Sequence, residues 1–473
     1  MKTIVKAFLL IFLSVIMFAS CTNKDIEIFD ENFSYQADKT DLEGVTIKYY
    51  RASGGLAFNI TGEEILGFEV GTTLGDLAVK RVKDVQNDLN CKLEITHFSD
   101  SSATTFRMSN ASGTYFCDIF CSGSNDLRSD MKIGALVDMS EIEEYIDYRN
   151  EEKWGVRKVL EPLYWEDDLY GLIPMLWPTS SVSYRGPLII NENLIASMDV
   201  EDPRDLYENG QWTWATFRDC LEKYYLQEGS DVIHYSLAAI PSDLGSYYLL
   251  SNGYRIARKG SDGNYQSGLR DQSSLVAMDE ALDILKGSLS YTIDKRSENL
   301  APVEDLINDK AVMGLMHYAE YVAERIVRQM TNFGAISWPT GPNVEPGYLT
   351  TFISTLERTV VISRFSPNIE ATAMALNALY EPFEEYPDSE AVKDFLNRTF
   401  FFDRRDADIY YDMFTNAEYS YFSTAAYNSL GEWTGTGQTP TEYIDSHLQK
   451  LEEYISEEIA PSKRGVEHVW GQE

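Results

Sequence analysis

Five consecutive residues, Ser122-Gly123-Ser124-Asn125-Asp126, collect hydroxyl, amide and carboxylate groups directly after an apolar run, Tyr115 to Cys121. An apolar run of that length, ended by small polar residues, reads as a buried parallel strand and the loop that leaves it. Ligands of open α/β sheets bind outside the carboxyl ends of the strands, so Ser122, Ser124, Asn125 and Asp126 stand where a polyol could be held by paired hydrogen bonds to its hydroxyls. The same residue types also cap turns, which is their other common use. Other chemistries find little support. Carboxylate pairs such as Glu143-Glu144, Asp167-Asp168 and Glu384-Glu385 are adjacent in acidic turns, whereas a glycosidase needs two carboxylates facing each other across a cleft. No Gly-x-Ser-x-Gly elbow, P-loop or His-Glu-x-x-His occurs. The five histidines have no ligand spacing, so no metal site is expected. The reading is a binding protein, not an enzyme, and it needs no cofactor.

The elements that must position such residues follow from periodicity. Val45 to Tyr50 reads as a first strand, Leu77 to Leu89 as a helix with apolar residues on one side, and Lys92 to Phe98 as an alternating strand. With the Tyr115–Cys121 run this gives β-loop-α-β-(α)-β, an open α/β pattern. Further on, Leu188 to Asn191 and Gly334 to Trp338 read as strands, and Asn308 to Val322 as a short strand followed by a helix. Thr359 to Ile362 is another strand. Helices are expected over Leu275–Leu285 and Asn368–Leu379, from Trp214, and, as an exposed amphipathic helix, through Ile444, Leu448, Leu451 and Ile455.

The amino terminus gives an address. Lys2 and Lys6 precede the apolar run Ala7 to Phe18, and Phe18-Ala19-Ser20-Cys21 closes it with small residues before a cysteine. A charged start, a short apolar stretch and a small-residue cleavage site make a secretory signal over residues 1–20, too short for a span that needs about 20 apolar residues. The closing residues resemble a bacterial lipobox, with Phe18 in place of the usual Leu. That resemblance implies lipidation of Cys21, an acyl anchor in the cell membrane and an extracytoplasmic protein. Residues 21–43, polar and acidic, read as a flexible tether.

The remaining length suggests two or three domains. A formal net charge of −35 repels phosphate backbones, so nucleic acid is not an expected partner. Aromatics make up 13% of the chain, with 30 tyrosines; a flat apolar ring with a polar tip suits sugars and peptides. Cys91, Cys117, Cys121 and Cys220 are too few for a disulfide scaffold. Cys117 and Cys121, about 13 Å apart in an extended strand, cannot pair with each other, and buried free thiols are expected.

Four stretches, in order, resemble the extracellular solute-binding protein family 1, the lipid-anchored receptors of ABC importers. They are Asp118-Ile119-Phe120 with Gly134 to Met139; Tyr170-Gly171-Leu172-Ile173-Pro174 with Leu188 to Leu194; Pro203 with Thr213-Trp214-Ala215-Thr216-Phe217; and Asn308 to Gly314. The chain departs from the usual pattern at Ile190 (Tyr), Thr216 (an acid) and Asp309 (Gly). The resemblance covers roughly residues 45 to 380.

It implies two α/β lobes joined by crossing hinge strands, in a periplasmic-binding-protein-like fold. Lobe 1 would be 44–180 plus 355–385. Lobe 2 would be 185–350 plus part of a helical 386–473, with crossings near Met175–Tyr184 and Thr350–Arg358. A small solute, a mono- or oligosaccharide, would bind between the lobes, and the closed monomer would dock on ABC permease subunits. Trp177, beside the first crossing, would stack on a sugar ring. His317, Tyr318 and Glu320 would face the cleft, with Tyr247 and Trp338 as further aromatic wall. Trp212 and Trp214 read as packing residues. A sensor lipoprotein of the same fold and a peptide receptor are the alternatives that this sequence leaves open.

Overall fold

Two open sheets organise the chain. The computed structural model describes residues 40–51, 63–96, 100–175, 184–319, 321–353, 358–419 and 431–470. The expected signal, Cys21 and most of the expected tether lie outside them, as do Trp177 and Glu320.

The first sheet begins with β1 (Thr46–Arg51), followed by helix α1 (Thr73–Asp88), β2 (Lys92–Thr96), α2 (Asp100–Ala111), β3 (Ile119–Ser122) and α3 (Ser124–Lys132). The local reasons are plain in α1: the Thr72 hydroxyl accepts from the Gly75 amide at its start, and Leu74, Ala78, Val82 and Val85 form its buried stripe. All four residues of β3 are buried, as expected of an inner parallel strand covered on both faces. Cys117 precedes that strand, and the expected run from Tyr115 shortens to its last residues.

The second sheet draws on β4 (Leu188–Asn191), then helix α4 (Trp214–Tyr224), β5 (Asp231–Ala238), α5 (Pro241–Ser251), α6 (Gln272–Lys286), β6 (Ile293–Asp294), β7 (Ala311–Leu315) and β8 (Phe333–Ile336). The chain then returns to the first sheet with β9 (Thr359–Ile362) and α7 (Ile369–Leu379). It continues through α8 (Arg404–Thr415), α9 (Pro440–Tyr454) and α10 (Ala460–Trp470).

Strand order is β9-β3-β1-β2 in the first sheet and β6-β5-β7-β4-β8 in the second, where a short strand at Leu226–Glu228 also pairs with β5. β1, β2 and β3 are mutually parallel, while β9 is antiparallel to β3, with Thr359 opposite Ser122. In the second sheet β5, β6 and β7 run parallel, and β4 lies antiparallel to both β7 and β8. In each sheet the strand entered as the chain crosses from the other sheet is reversed, β9 in the first and β4 in the second; the short Leu226–Glu228 strand also runs antiparallel to β5. Two backbone bridges mark these passages: Leu172 with Val360, and Arg185 with Phe352.

Two departures from the usual motif have physical substitutes. Thr216 does the work of an acid at the start of α4: its hydroxyl accepts from the Thr213 amide at 2.9 Å while the Thr213 hydroxyl accepts from the Thr216 amide at 3.4 Å, a reciprocal capping box. Asp309 adopts φ +55°, the left-handed conformation for which Gly is favoured, and its carboxylate accepts from the Asn191 side chain at 2.7 Å.

The C-terminal helix expected through Ile444 to Ile455 is present as α9. It is not a free surface helix, since Ile444, Leu451 and Ile455 are buried. Cys91, Cys117, Cys121 and Cys220 are all buried. Among the described residues no helix is long and apolar enough to cross a membrane.

Candidate functional site

The chemistry gathers where the strands of each sheet end. In the first sheet β3 runs through Ser122 and Gly123 into α3, whose N-cap is Gly123, so no side chain occupies the cap. Ser122 and Ser124 are buried, and Asn125 and Asp126 form the first turn of α3. Along the same edge Arg51 ends β1 and Arg358 precedes β9. Arg51 is ion-paired with Glu64, and both are buried. Burial, reinforced by the neighbouring Arg51 charge, lowers the Arg358 pKa to about 10. Gly67 must lack a side chain here: a Cβ would come within 2.9 Å of the Arg358 guanidinium, and its φ is +96°.

In the second sheet the parallel strands β5, β7 and β8 end on one edge. The reversed strand β4 contributes its amino end to the same edge. The ladder between β4 and β7 continues past the strands: the Gly186 amide donates to the Met316 carbonyl at 2.9 Å and the Met316 amide to the Pro187 carbonyl at 3.0 Å. This sets Arg185 beside His317. Asp243 reaches the same place from the first turn of α5, which opens on Pro241, a residue suited to a helix start.

The result is a chain of side chains. His317 Nδ1 lies 2.7 Å from Asp243 Oδ2, and Arg185 Nη1 contacts His317 Nε2 and donates to the His317 carbonyl at 3.1 Å. A guanidinium can only donate, so Nε2 accepts and the His317 proton sits on Nδ1, directed at Asp243. The Arg185 guanidinium lies 4.3 Å from the centroid of the Tyr318 ring, a cation–π contact. Tyr318 meets His317 edge-on at 4.4 Å and Tyr321 at 5.6 Å. Arg185, His317 and Tyr318 are each partly exposed, while Asp243 is buried. The edge thus offers two tyrosine rings beside a fixed set of donors and acceptors, a combination that suits a ligand with apolar faces and many hydroxyls.

Tyr247 and Trp338, expected on the wall, are fully buried beneath it. The Tyr247 hydroxyl donates to the Arg185 carbonyl. Its ring packs 5.6 Å from Trp338 and 5.4 Å from Phe352, and Trp338 also meets Tyr248 at 5.4 Å and Phe217 at 5.0 Å. Burial pushes the phenol pKa of both Tyr247 and Tyr248 well above its ordinary value. These rings support the edge from behind. α5 explains why: it is buried along its whole length from Asp243 to Ser251. Trp212 and Trp214 are packing residues, their indole nitrogens donating to the Ser337 carbonyl and the Ser251 hydroxyl, each at 2.9 Å.

Neither Asp243 nor Arg185 was among the site residues expected from the sequence. Asp243 follows β5 as Ser124 follows β3, but β5 was not among the strands expected from the sequence. Arg185 gave no signal, because only the reversal of β4 brings its amino end to this edge.

No family model matches the chain, and no curated protein matches it in sequence. Solved structures do share its fold. A cyclo/maltodextrin-binding protein complexed with maltotetraose aligns over 87% of this chain and 97% of its own, at 11% identity and a TM-score of 0.58. The sugar-binding protein MalE from the phytopathogen Xanthomonas citri aligns over 91% of this chain and all of its own, at 13% identity and 0.58. The maltose-binding periplasmic protein MalE from Listeria monocytogenes, in complex with maltose, aligns over 87% of this chain and 98% of its own, at 14% identity and 0.57. The chain has their two-lobed α/β fold.

Proposed function

We propose that the chain is an extracytoplasmic receptor that binds a mono- or oligosaccharide between two lobes and presents it to an ABC permease. The observation that carries this reading is that the two sheets each end in a polar group, Ser122–Asp126 on one and Asp243, His317, Arg185 and Tyr318 on the other, in a fold shared along nearly its whole length with proteins that bind maltodextrins. Trp177, beside the first crossing, and Glu320, beside His317 and Tyr318, are proposed to complete the site. Lobe 1 is taken as residues 44–180 plus 355–385, and lobe 2 as 185–350 with part of 386–473.

The mechanism follows from differential contact. A ligand that touches both edges only when the lobes close shifts the population toward the closed form, and a permease then reads that shape. No covalent step is involved. A signal over residues 1–20, lipidation of Cys21 and a tether over 21–43 are proposed to hold the receptor at the membrane.

Calorimetry and thermal shift on the purified chain against a panel of mono- and oligosaccharides, with amino acids and short peptides beside them, test the reading. A saturable response to one sugar class is expected; at about 100 times Kd the ligand stabilises by about 2.7 kcal/mol. Silence across the sugars, or a response to peptides alone, rejects it. For the anchor, the Cys21→Ser chain should leave the membrane fraction.

A further inference from the structure

The C-terminal helices do more than fill a surface. Helices α9 and α10 are joined by one π turn, Ile455–Ile459. The region from that turn onward is seated on lobe 1. The Ser462 hydroxyl donates to the Tyr164 carbonyl at 2.8 Å, and Lys463 donates to Glu161 at 2.9 Å. Gly465 permits the approach: a Cβ there would lie 2.2 Å from the Glu166 carbonyl oxygen. Arg128 and Lys132 of α3 both engage Glu458, and Arg128 also donates to the Ser462 hydroxyl at 2.8 Å. That helix is the one whose first turn carries Ser124, Asn125 and Asp126.

One side chain of this segment is held by lobe 2. Glu467, two residues beyond Gly465, accepts from Lys259 Nζ and from the Tyr265 hydroxyl, each at 2.6 Å. Lys259 and Tyr265 face each other in an antiparallel hairpin, Ala257–Lys259 with Tyr265–Ser267. The hairpin meets α9 as well, through the Ser267 amide and Glu452 at 3.0 Å. A single segment is therefore bonded to both lobes through residues outside the proposed crossings.

We propose that this arm is a second link between the lobes and that Glu467 sets the balance between their arrangements, so that α3 and its ligand-facing turn are coupled to lobe 2 through the tail. The proposal rests on the lobe reading above, but not on the identity of the ligand. Motion of lobe 2 against lobe 1 must break the Lys259 and Tyr265 bonds, unseat α10, or bend the arm at the π turn, a kind of irregularity common where helices flex and at functional sites.

The test is the inter-lobe distance in the ligand-free chain. Spin labels are placed at Lys83→Cys in α1 and Lys223→Cys in α4, both exposed, in a Cys21→Ser background; Cys91, Cys117, Cys121 and Cys220 are buried and escape labelling. Glu467→Gln and Tyr265→Phe should each broaden or shift the distance distribution. The ratio of populations should change about threefold to tenfold, as expected for one partly exposed charge-assisted contact. Lys80→Ala, which removes an ion pair within α1, should leave the distribution as it was. Unchanged distributions in both variants overturn the proposal, as does a lower melting temperature with no change in distance, which marks a purely structural role. Because no ligand is present, failure of the sugar reading would appear in the binding panel and not here.

Discussion

Asp406 offers a sharp test of how the tail is fastened to lobe 2. Its carboxylate is fully buried, accepts from the Ala335 amide of β8 at 2.9 Å, and meets Arg204 Nη1 at 3.1 Å. Arg204 is also paired with Asp202 at 2.7 Å and Glu192 at 2.6 Å, so three carboxylates share one guanidinium. Burial outweighs the attraction of Arg204 and raises the Asp406 pKa from 3.8 to about 6. Between those two values the folded chain keeps a proton that the unfolded chain has lost. The associated stability is fully present below about pH 4 and is lost as pH rises through about 6. The gap corresponds to about 3 kcal/mol. Asp406→Asn removes the charge, keeps an acceptor for Ala335 and leaves Arg204 two partners. Its amide group faces a donor-only guanidinium, however, which trims the gain to about 1–2 kcal/mol. Urea unfolding followed by tryptophan fluorescence at pH 4 and pH 8 decides the matter. The variant should match or fall slightly below the parent at pH 4 and exceed it at pH 8. A variant less stable than the parent at pH 8 by 1 kcal/mol or more would show that the Arg204 attraction outweighs burial, and would refute the reasoning.

Three further outcomes are expected. Tyr318→Ala removes a ring that is partly exposed on the edge, so affinity for the sugar identified by the panel should fall about tenfold, from an aromatic contribution of roughly 1 kcal/mol or a little more, with the melting temperature nearly unchanged. Trp338→Ala should do the reverse in emphasis: about 3–5 kcal/mol of stability lost in urea unfolding, because the indole is fully buried among Tyr247, Tyr248 and Phe217. Ellman's reagent should find Cys91, Cys117, Cys121 and Cys220 unreactive in the native chain and reactive in denaturant, since all four are buried and burial pushes the Cys117 thiol pKa well up.

Most strands of both sheets were legible because their signals are local; β5, exposed over its first three residues, the two-residue β6 and helix α5 were not. β3, β4, β7 and β9 are continuous apolar runs with every residue buried, and runs of that kind bounded by polar turns announce inner strands. Ser122 was legible for the same reason, as the residue at which such a run stops. Tyr247 and Trp338 illustrate the limit. An aromatic residue after a strand end has the same local pattern whether its ring faces the edge or lies under it, and only the burial of α5 on all sides distinguishes the two. The place of Arg185 on this edge depends on the direction of β4, which is a property of pairing between strands more than a hundred residues apart. The seat of α10 on lobe 1 depends on the absence of a Cβ at Gly465, which no periodicity reports.

The reversed strands connect these points. A parallel strand presents its carboxyl end to the ligand edge, so its contribution is a loop leading away into a helix. A reversed strand presents its amino end, and the residue there has just arrived from the other lobe. Both sheets place an arginine at that position: Arg185 before β4 and Arg358 before β9. Arg185 is bonded on one side to the passage, its amide donating to the Phe352 carbonyl at 2.8 Å, and on the other to His317 and Tyr318 at the edge. The path from the candidate ligand residues to the passage between lobes is therefore one side chain long on lobe 2. Under the proposed function, a ligand that reorients His317 or Tyr318 would act on Arg185 directly, and through its backbone on the proposed crossing segment. Small displacements at a packed edge are converted to lobe rotation when the connecting groups have two discrete arrangements. The Asp243–His317–Arg185 chain, with its tautomer fixed at both ends, is suited to that role, because rotating any one member breaks a defined hydrogen bond to the next.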